Sequence, residues 1–327
     1  MRHDAAALQQ LHEAGFGAVG ITSFWQPGVS APTEDEVAAL REVVDGADGT
    51  PIFLAVYHTG SRTTPLTPDD RSDFAAYVTA AMRSAPEIRD VIVGNEPNLN
   101  RFWMPQFDAS GGDVAAPAYL TLLIEVYDAV KRADPDMTVW GGALAPRGID
   151  RPDTGRDTHS PTTFIRDLGA ALRVSGRTKP PMDGFAYHPY PASSSIPPDR
   201  PTELESTSIL MADYEAKLRP LLDEAFGPGL PVLYSELGVE TGIPPAKASL
   251  YEGDEVADTV DEPAQADYYR RAIELAACQK NVAGLLLFHS HDEPALRGFQ
   301  SGVYYVDATR KSSFDRVRDA AESTMCA

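Results

Sequence analysis

The chain has 327 residues, of which 43% are hydrophobic and 23% are charged, an ordinary composition for a globular protein with room for one barrel-sized domain. Its 48 acidic and 28 basic residues give a formal net charge of −20. That negative field opposes binding to nucleic acid or to an anionic membrane surface and favours neutral or cationic small molecules, although a general adaptation for solubility would give the same charge. We therefore expect no nucleic-acid partner and no membrane partner.

The N-terminal residues and the two cysteines bear on the location of the protein. No apolar run approaches the ~20 residues of a membrane-spanning helix, and residues 1–17 lack the apolar segment of a signal peptide. We expect an extracellular protein whose signal peptide lies outside this sequence, with a cytoplasmic location as the alternative. Cys278 and Cys326 form either a disulfide that ties the C-terminal tail to a helix or two free thiols, and the sequence leaves both open.

Seven short apolar runs, rich in β-branched and aromatic residues, alternate with longer amphipathic segments. Continuous apolar runs of this length are typical of strands that are buried on both faces of a parallel sheet. The predicted strands are 17–25, 51–58, 89–97, 137–146, 182–191, 231–240 and 282–291.

The segments between these runs predict helices. A first helix opens the chain at 4–15, and the others are predicted at 33–47, 67–84, 116–135, 160–172, 208–226, 264–281 and 312–324. Strands that alternate with helices indicate βαβ units and a parallel sheet. Three longer loops, at 101–115, 147–159 and 242–262, are expected to shape the face at the carboxyl ends of the strands.

These elements predict an α/β protein, a (β/α)8 TIM-type barrel that forms a single domain over residues 1–327. An eightfold barrel needs one strand more than the seven found, so we expect the first strand to be missing from this chain or the barrel to be incomplete. The strands on either side of such a gap would expose their edges, and an exposed edge invites pairing with another chain. We therefore expect a homodimer to form through this seam.

Two glutamates stand where catalytic groups of a barrel are found. Glu96, in VIVGNEP, and Glu236, in PVLYSELG, each come at the carboxyl end of an apolar strand. A lone NEP tripeptide would be read as a solvated turn, but two such carboxylates facing each other across a barrel mouth are what hydrolysis of a glycosidic bond requires. Asn95 is placed to bind a substrate hydroxyl from the same rim.

A third polar motif, FAYHPYP, lies between the two glutamate-bearing strands. His188 and Tyr190 alternate at the end of its strand, where an imidazole and a phenol can orient a carboxylate by hydrogen bonding. Each residue alone is more often structural. Their place between the two glutamates favours a functional role.

These motifs in this order, together with the closing GFQSGVYYVDATRKSSFD, resemble the clan A glycoside hydrolases, in particular bacterial proteins grouped with the cellulase and family 39 glycosidases. The resemblance implies a retaining glycosidase with Glu96 as acid/base and Glu236 as nucleophile. It implies sugar-binding roles for Asn95, His188 and Tyr190. It also matches the first visible strand, which ends at Trp25, to the second strand of the clan. The implied partner is a carbohydrate or glycoside substrate, and no cofactor is expected.

Aromatic side chains near strand ends are candidates for stacking on sugar rings. Many clan members place a tryptophan at the end of the eighth strand, where this chain has LLLFHSHDE. Phe288 or His289 is therefore expected to line the floor of the cleft instead. Trp25, Tyr57 and Trp103 are the favoured stacking residues, and the other candidates at strand ends are His58, Phe102 and Trp140.

Two other functions remain open from the sequence. His289, His291, Asp292 and Glu293 have the residue types of a divalent-metal site, which would make the protein a metal-dependent hydrolase. A barrel that binds carbohydrate without cleaving it is the second alternative. We favour the glycosidase without a metal, and we predict that the Glu96 and Glu236 carboxyl groups lie about 5–5.5 Å apart, as in retaining enzymes.

Overall fold

A computed structural model describes residues 5–323 and 326. Within these residues seven parallel strands form one sheet in the order of the chain, β1 to β7. The strands are Val19–Trp25, Ile52–His58, Asp90–Val93, Thr138–Leu144, Gly184–Tyr187, Val232–Leu237 and Val282–Leu287. The helices α1 to α8 are Ala5–Glu13, Glu34–Ala47, Pro68–Ser84, Ala115–Ala133, Pro161–Ser175, Arg219–Phe226, Glu262–Cys278 and Phe314–Ser323. The predicted helix limits at Asp4 and Thr324 lie outside the described residues.

Four helices begin where a side chain caps the first turn. Thr33, Thr67, Ser160 and Asp261 each accept a hydrogen bond from the backbone N–H three residues later. A proline follows within the first two positions of α3, α5 and α7, where its missing N–H costs nothing. These local signals explain why the predicted helix starts agree with the structure to within two residues.

The single helix predicted at 208–226 is divided in the structure. It opens as a 3-10 turn at Met211–Asp213, widens into a π turn at Tyr214–Leu218, and becomes regular only in α6. Pro220 is the cause, because it has no N–H to donate and its ring displaces the carbonyl one turn earlier. The wider turn accommodates the proline, and the Arg219 N–H bonds to the Tyr214 carbonyl.

The sheet separates two apolar layers. The larger layer lies between the strands and the surrounding helices and includes Leu54, Val56 and Phe74. The smaller one fills the concave side of the sheet, where Trp140 and Leu233 pack together. Parallel strands buried on both faces are the reason why the strand sequences are almost continuously apolar.

The sheet curls into a partial (β/α) barrel with β1 and β7 at its two edges. Among the described residues, no strand pairs with the free edge of β1 or with the free edge of β7. The gap is narrow, since a Cβ atom at Gly20 would lie 3.2 Å from Cδ1 of Leu286. Phe24, on the concave face of β1, is 49% exposed, whereas Ile92 on the central strand β3 is 4% exposed. The edges of the sheet are therefore less covered than its centre.

Cys278 and Cys326 form a disulfide, with Cα atoms 5.2 Å apart. The sequence had left this pairing open. The bond joins the C-terminal tail to the end of α7. Among the described residues, none of the helices has the length and apolar character needed to span a membrane.

Candidate active site

Glu96 projects from a sharp turn that follows β3. Gly94 and Glu96 both have positive φ, 85° and 42°, a conformation that costs a non-glycine residue energy. A side chain at Gly94 would also meet the ring of Tyr119 at 3.0 Å. The turn is held from β4, because the Glu96 N–H donates to the Ala143 carbonyl at 2.8 Å. A strained position held in this way is expected at a functional site.

Asn98 fixes the other side of this turn. Its side chain is fully buried and makes three hydrogen bonds to the loop after β4: it donates to the carbonyls of Ala145 and His159 and accepts from the Ala145 N–H. The amide thus replaces backbone pairing that the two strands no longer provide beyond their ends. Glu96 is positioned by the ends of two neighbouring strands rather than by its own loop alone.

Glu236 lies near the end of β6, with its side chain 22% exposed. Two residues later, Gly238 leaves no room for a side chain, because a Cβ atom there would lie 2.5 Å from the Phe288 carbonyl oxygen. The Phe288 N–H donates to the Leu237 carbonyl at 2.9 Å, which keeps the ends of β6 and β7 together. The carboxylate is thereby held at the mouth of the barrel.

His188 lies between the two carboxylates. Its Nδ1 atom is 3.2 Å from Oε1 of Glu96 and 3.7 Å from Oε2 of Glu236. The imidazole is only 2% exposed, and its backbone N–H donates to the Leu144 carbonyl at the end of β4. The separation of the two carboxylate oxygens cannot exceed the sum of these two distances. That limit lies just inside the range of inverting enzymes, about 6.5–9.5 Å, so these distances do not distinguish a retaining from an inverting arrangement.

The electrostatic environment couples these groups. Burial alone would lower the pKa of His188, but the Glu236 and Glu96 carboxylates together raise it above its ordinary value. Burial raises the pKa of Glu236, and Glu96 adds to that effect, while His188 and the Tyr190 hydroxyl oppose it. Tyr190 donates to Oε2 of Glu236 at 3.2 Å. The imidazole and the phenol therefore both face Glu236, the carboxyl group whose acid form burial favours.

The pair opens into a cleft of about 780 Å³ at the carboxyl ends of the strands. This volume is typical of a small-molecule site. Burial, with Glu236 and Glu96 nearby, raises the pKa of the lining residue Tyr57 to about 12, so its phenol stays protonated and neutral near neutral pH. The predicted residues that line the cleft are Asn95, Glu96, Tyr57, Phe102, Tyr190, Glu236 and Phe288.

Other predicted site residues lie elsewhere. Trp25 is fully buried and packs against Phe74 of α3, and Trp103 is 1% exposed and contacts His58. His58, 4% exposed, bonds through Nδ1 to the Gly60 carbonyl oxygen. These three rings point away from the cleft, so the structure corrects the expectation that they contact a sugar. The strand positions of Trp25 and His58 alternate with those of Phe24 and Tyr57, which face the concave side.

Trp140 and His289 are also outside the cleft lining. Trp140 belongs to the apolar cluster inside the sheet and donates from Nε1 to Asp90 at 2.8 Å. His289 stands beside Phe288, and its Nε2 atom is 3.7 Å from a Glu293 carboxylate oxygen. Phe288 alone of the two predicted floor residues lines the cleft.

The cluster HSHDE is dispersed in the structure. His291 stacks on Tyr304 and bonds to Gln10, whereas the Asp292 carboxylate is buried in an ion pair with Lys311. Over the described ranges, 5–323 and 326, no group of three or more His, Cys, Asp or Glu side chains is placed to hold a metal ion. These residues do not fit the metal-dependent alternative.

Several cleft residues were missed by the sequence analysis, three of the charged ones among them. Arg101 follows β3, Arg147 follows β4, and Glu240 comes four residues after Glu236. Burial and the nearby Glu255 raise the pKa of Glu240 to about 7. Each residue lies just beyond the carboxyl end of a strand, and this position was the one signal that could have found them.

No protein-family model matches the chain, and no curated protein matches its sequence. Solved structures do match its fold. A family 39 glycoside hydrolase from Bacteroides cellulosilyticus WH2 aligns with a TM-score of 0.68 at 18% identity, covering 97% of this chain and 60% of that one. A GH5 structure from Streptomyces cattleya, in complex with Manβ1-4GlcNAc, aligns at 0.63 and 18% identity over 98% and 76%.

A monomeric β-xylosidase from Caulobacter crescentus CB15 aligns with a TM-score of 0.58 at 17% identity, over 96% of this chain and 63% of that one. The chain thus spans about three fifths of the family 39 structure and of the β-xylosidase structure. At these identities the similarity defines the fold. The partial (β/α) barrel of this chain is thus similar in fold to these glycosidase structures, as the resemblance in the sequence implied.

Proposed function

We propose that this protein is a retaining glycoside hydrolase that cleaves O-glycosidic bonds by double displacement, with Glu96 as acid/base and Glu236 as nucleophile. One observation carries the proposal: two carboxylates from the ends of different strands approach the same buried imidazole at the mouth of the cleft. The glycosidase fold of the structural neighbours supports it.

The reaction follows from the pair of carboxyl groups. Glu96, in its acid form, gives its proton to the glycosidic oxygen while a Glu236 oxygen attacks the anomeric carbon. The bond to the leaving group breaks and a covalent glycosyl-enzyme forms. Glu96, now a carboxylate, takes a proton from water, and that water attacks the same carbon and releases Glu236. Two inversions leave the configuration unchanged.

The hydrogen bonds support this division of roles. A nucleophile has to be ionised, and Glu236 accepts from the Tyr190 hydroxyl and also faces the imidazole of His188. The phenol favours the carboxylate form of Glu236, whereas the imidazole is shared with Glu96 and lies closer to it. The mechanism uses side chains and water alone, so it needs no cofactor.

The proposed substrate is a carbohydrate or glycoside. A screen of glycosides identifies the sugar that the enzyme accepts. A panel of 4-nitrophenyl glycosides that includes xylosides, glucosides, mannosides and uronides, with the anomeric configuration of the products followed by NMR, tests the activity. We expect hydrolysis of at least one with retention. Inversion would contradict the mechanism, and no turnover of any member would favour the carbohydrate-binding alternative.

Variants of the two glutamates test their roles. Glu236→Gly should abolish turnover, and azide should then attack the anomeric carbon directly to give a glycosyl azide of inverted configuration. Glu96→Ala should lose about 10²–10⁴-fold on substrates with poor leaving groups, with less effect on activated ones, and azide should give a product of retained configuration. Glu87→Gln, on a carboxylate paired with Arg41 at the surface, is the control. Opposite azide stereochemistry would reverse the two roles.

We also propose that a second copy of the chain pairs at the seam between β1 and β7. The exposed Phe24 supports this proposal.

An extracellular location is in keeping with the Cys278–Cys326 disulfide, because disulfides persist in oxidising compartments.

A further inference from the structure

One end of the cleft carries two guanidinium groups. Arg101 is in the loop after β3 and Arg147 is in the loop after β4, and both line the cavity beside Glu96. The two loops are joined, since Leu99 and Thr158 form an isolated β-bridge between them. The arginines therefore belong to one wall of the cleft, the wall that also carries Glu96.

Neither guanidinium is neutralised by a carboxylate within salt-bridge distance in the part of the chain that the structure describes. Nη1 of Arg147 donates to the Tyr190 carbonyl oxygen at 2.8 Å, and its other N–H groups remain available to the cleft. The Arg101 guanidinium lies over the ring of Phe102, 5.3 Å from its centroid. Burial lowers the pKa of Arg147, and the Glu96 carboxylate opposes this effect.

The opposite wall carries carboxyl groups in place of guanidinium groups. Glu240 and Asp258 line it on the loop after β6, on the side of Glu236. Glu240 has a buried Oε2 atom with no hydrogen-bond partner among the described residues. An anionic group would be repelled from this wall and attracted to the one with the arginines. The cleft is therefore electrostatically polarised, although the protein as a whole carries a net charge of −20.

The position of the arginines relative to Glu96 decides which part of a substrate they meet. A general acid stands beside the glycosidic oxygen, and the leaving group extends beyond that oxygen. Arg101 and Arg147 lie in the loops after β3 and β4, as the turn with Glu96 does, whereas Glu236 is on β6. We propose, on the basis of the function proposed above, that the leaving-group side of the cleft recognises an anionic substituent, a carboxylate or a sulfate, through Arg147 with Arg101 in support.

The test compares two glycosides of whichever sugar the protein hydrolyses: the 4-carboxyphenyl glycoside and its neutral counterpart, the 4-carbamoylphenyl glycoside. They have nearly the same shape and differ in charge at the far end of the leaving group. We expect KM for the carboxylate to be about three- to tenfold lower, as a partly exposed charge-assisted contact provides. Added salt should reduce the preference, because ions screen exposed charges.

Variants assign the preference to its residues. Arg147→Gln should bring the ratio of the two KM values to within about twofold, whereas Arg147→Lys, which keeps the charge, should retain part of the preference. Arg151→Gln, on an exposed residue of the same loop outside the cleft, is the matched control and should keep the wild-type ratio. Circular dichroism of each variant verifies folding.

Equal KM values in the wild type, or a preference that survives Arg147→Gln, would overturn this inference while leaving the glycosidase intact. If no aryl glycoside is hydrolysed, the proposed function fails separately. Calorimetric titration with 4-hydroxybenzoate and 4-hydroxybenzamide then decides on the anion site alone: tighter binding of the benzoate that is lost in Arg147→Gln supports the site, and equal binding refutes it.

Discussion

The Glu236 carboxyl group has to be ionised before it can attack an anomeric carbon, and its surroundings set the pH at which this happens. Burial raises the pKa of Glu236 above the ordinary glutamate value of about 4.3. As pH falls through a raised pKa, the nucleophile is lost earlier than it would be for an ordinary glutamate. We therefore expect the acid limb of the kcat/KM profile to lie above that ordinary value.

Replacement of Tyr190 tests this account. The Tyr190 hydroxyl donates to Glu236 and so lowers the pKa of the carboxyl group. Tyr190→Phe removes the donor, the acid form of Glu236 becomes more favourable, and the acid limb should move to higher pH. We expect kcat/KM at the wild-type optimum to fall about tenfold, as for the loss of one hydrogen bond to a charged group.

The control for this experiment is Tyr57→Phe. Tyr57 also lines the cleft, but among the described residues no hydrogen bond joins its hydroxyl to Glu236, and the hydroxyl stays neutral because its pKa is about 12. The position of the acid limb should therefore match that of the wild type. If the acid limb of the kcat/KM profile does not move in Tyr190→Phe, or moves equally in both variants, Tyr190 does not act on Glu236.

At the scale of elements, the turn after β3 depends on the loop after β4. Asn98→Ala removes three buried hydrogen bonds and leaves two carbonyls and one N–H without that partner. We expect the free energy of unfolding to fall by about 2–4 kcal/mol, as measured by denaturant titration, and kcat to fall because Glu96 loses its support. The sequence analysis assigned no role to Asn98.

Asn100→Ala is the matched control for Asn98. Asn100 is in the same loop, and its side chain makes no hydrogen bond to the residues that the structure describes. Its replacement should change the free energy of unfolding by no more than about 0.5 kcal/mol. Similar destabilisation by both changes would mean that the loop as a whole, and not the Asn98 amide, supports the turn.

For the whole molecule, the seam between β1 and β7 raises the question of oligomeric state. If a second copy pairs there, light scattering after gel filtration should give twice the chain mass of 35.3 kDa. Phe24→Glu places a charge on the exposed concave face of β1 and should return the protein to a monomer. Val174, 89% exposed on α5, gives the control Val174→Glu, which should remain dimeric. A monomeric wild type would contradict pairing at the seam.

The sequence by itself determined the order of strands and helices and the place of the two glutamates. Apolar runs, capping residues and prolines act locally, and the carboxyl ends of parallel strands necessarily meet on one face. Glu96 and Glu236 could therefore be expected to approach each other from their strand positions alone. The division of the 208–226 helix was missed, although Pro220 gave a local signal for it.

Only the tertiary structure decided which aromatic rings face the cleft and what charge lines it. Strands buried on both faces have no polar alternation, so the sequence does not tell that Tyr57 points inward and Trp25 outward. Arg147 and Glu240 reach the cleft from loops whose paths depend on contacts with other loops, such as the bond from Arg147 to the Tyr190 carbonyl. The net charge of the chain, summed over all residues, does not reveal a basic wall built by two of them.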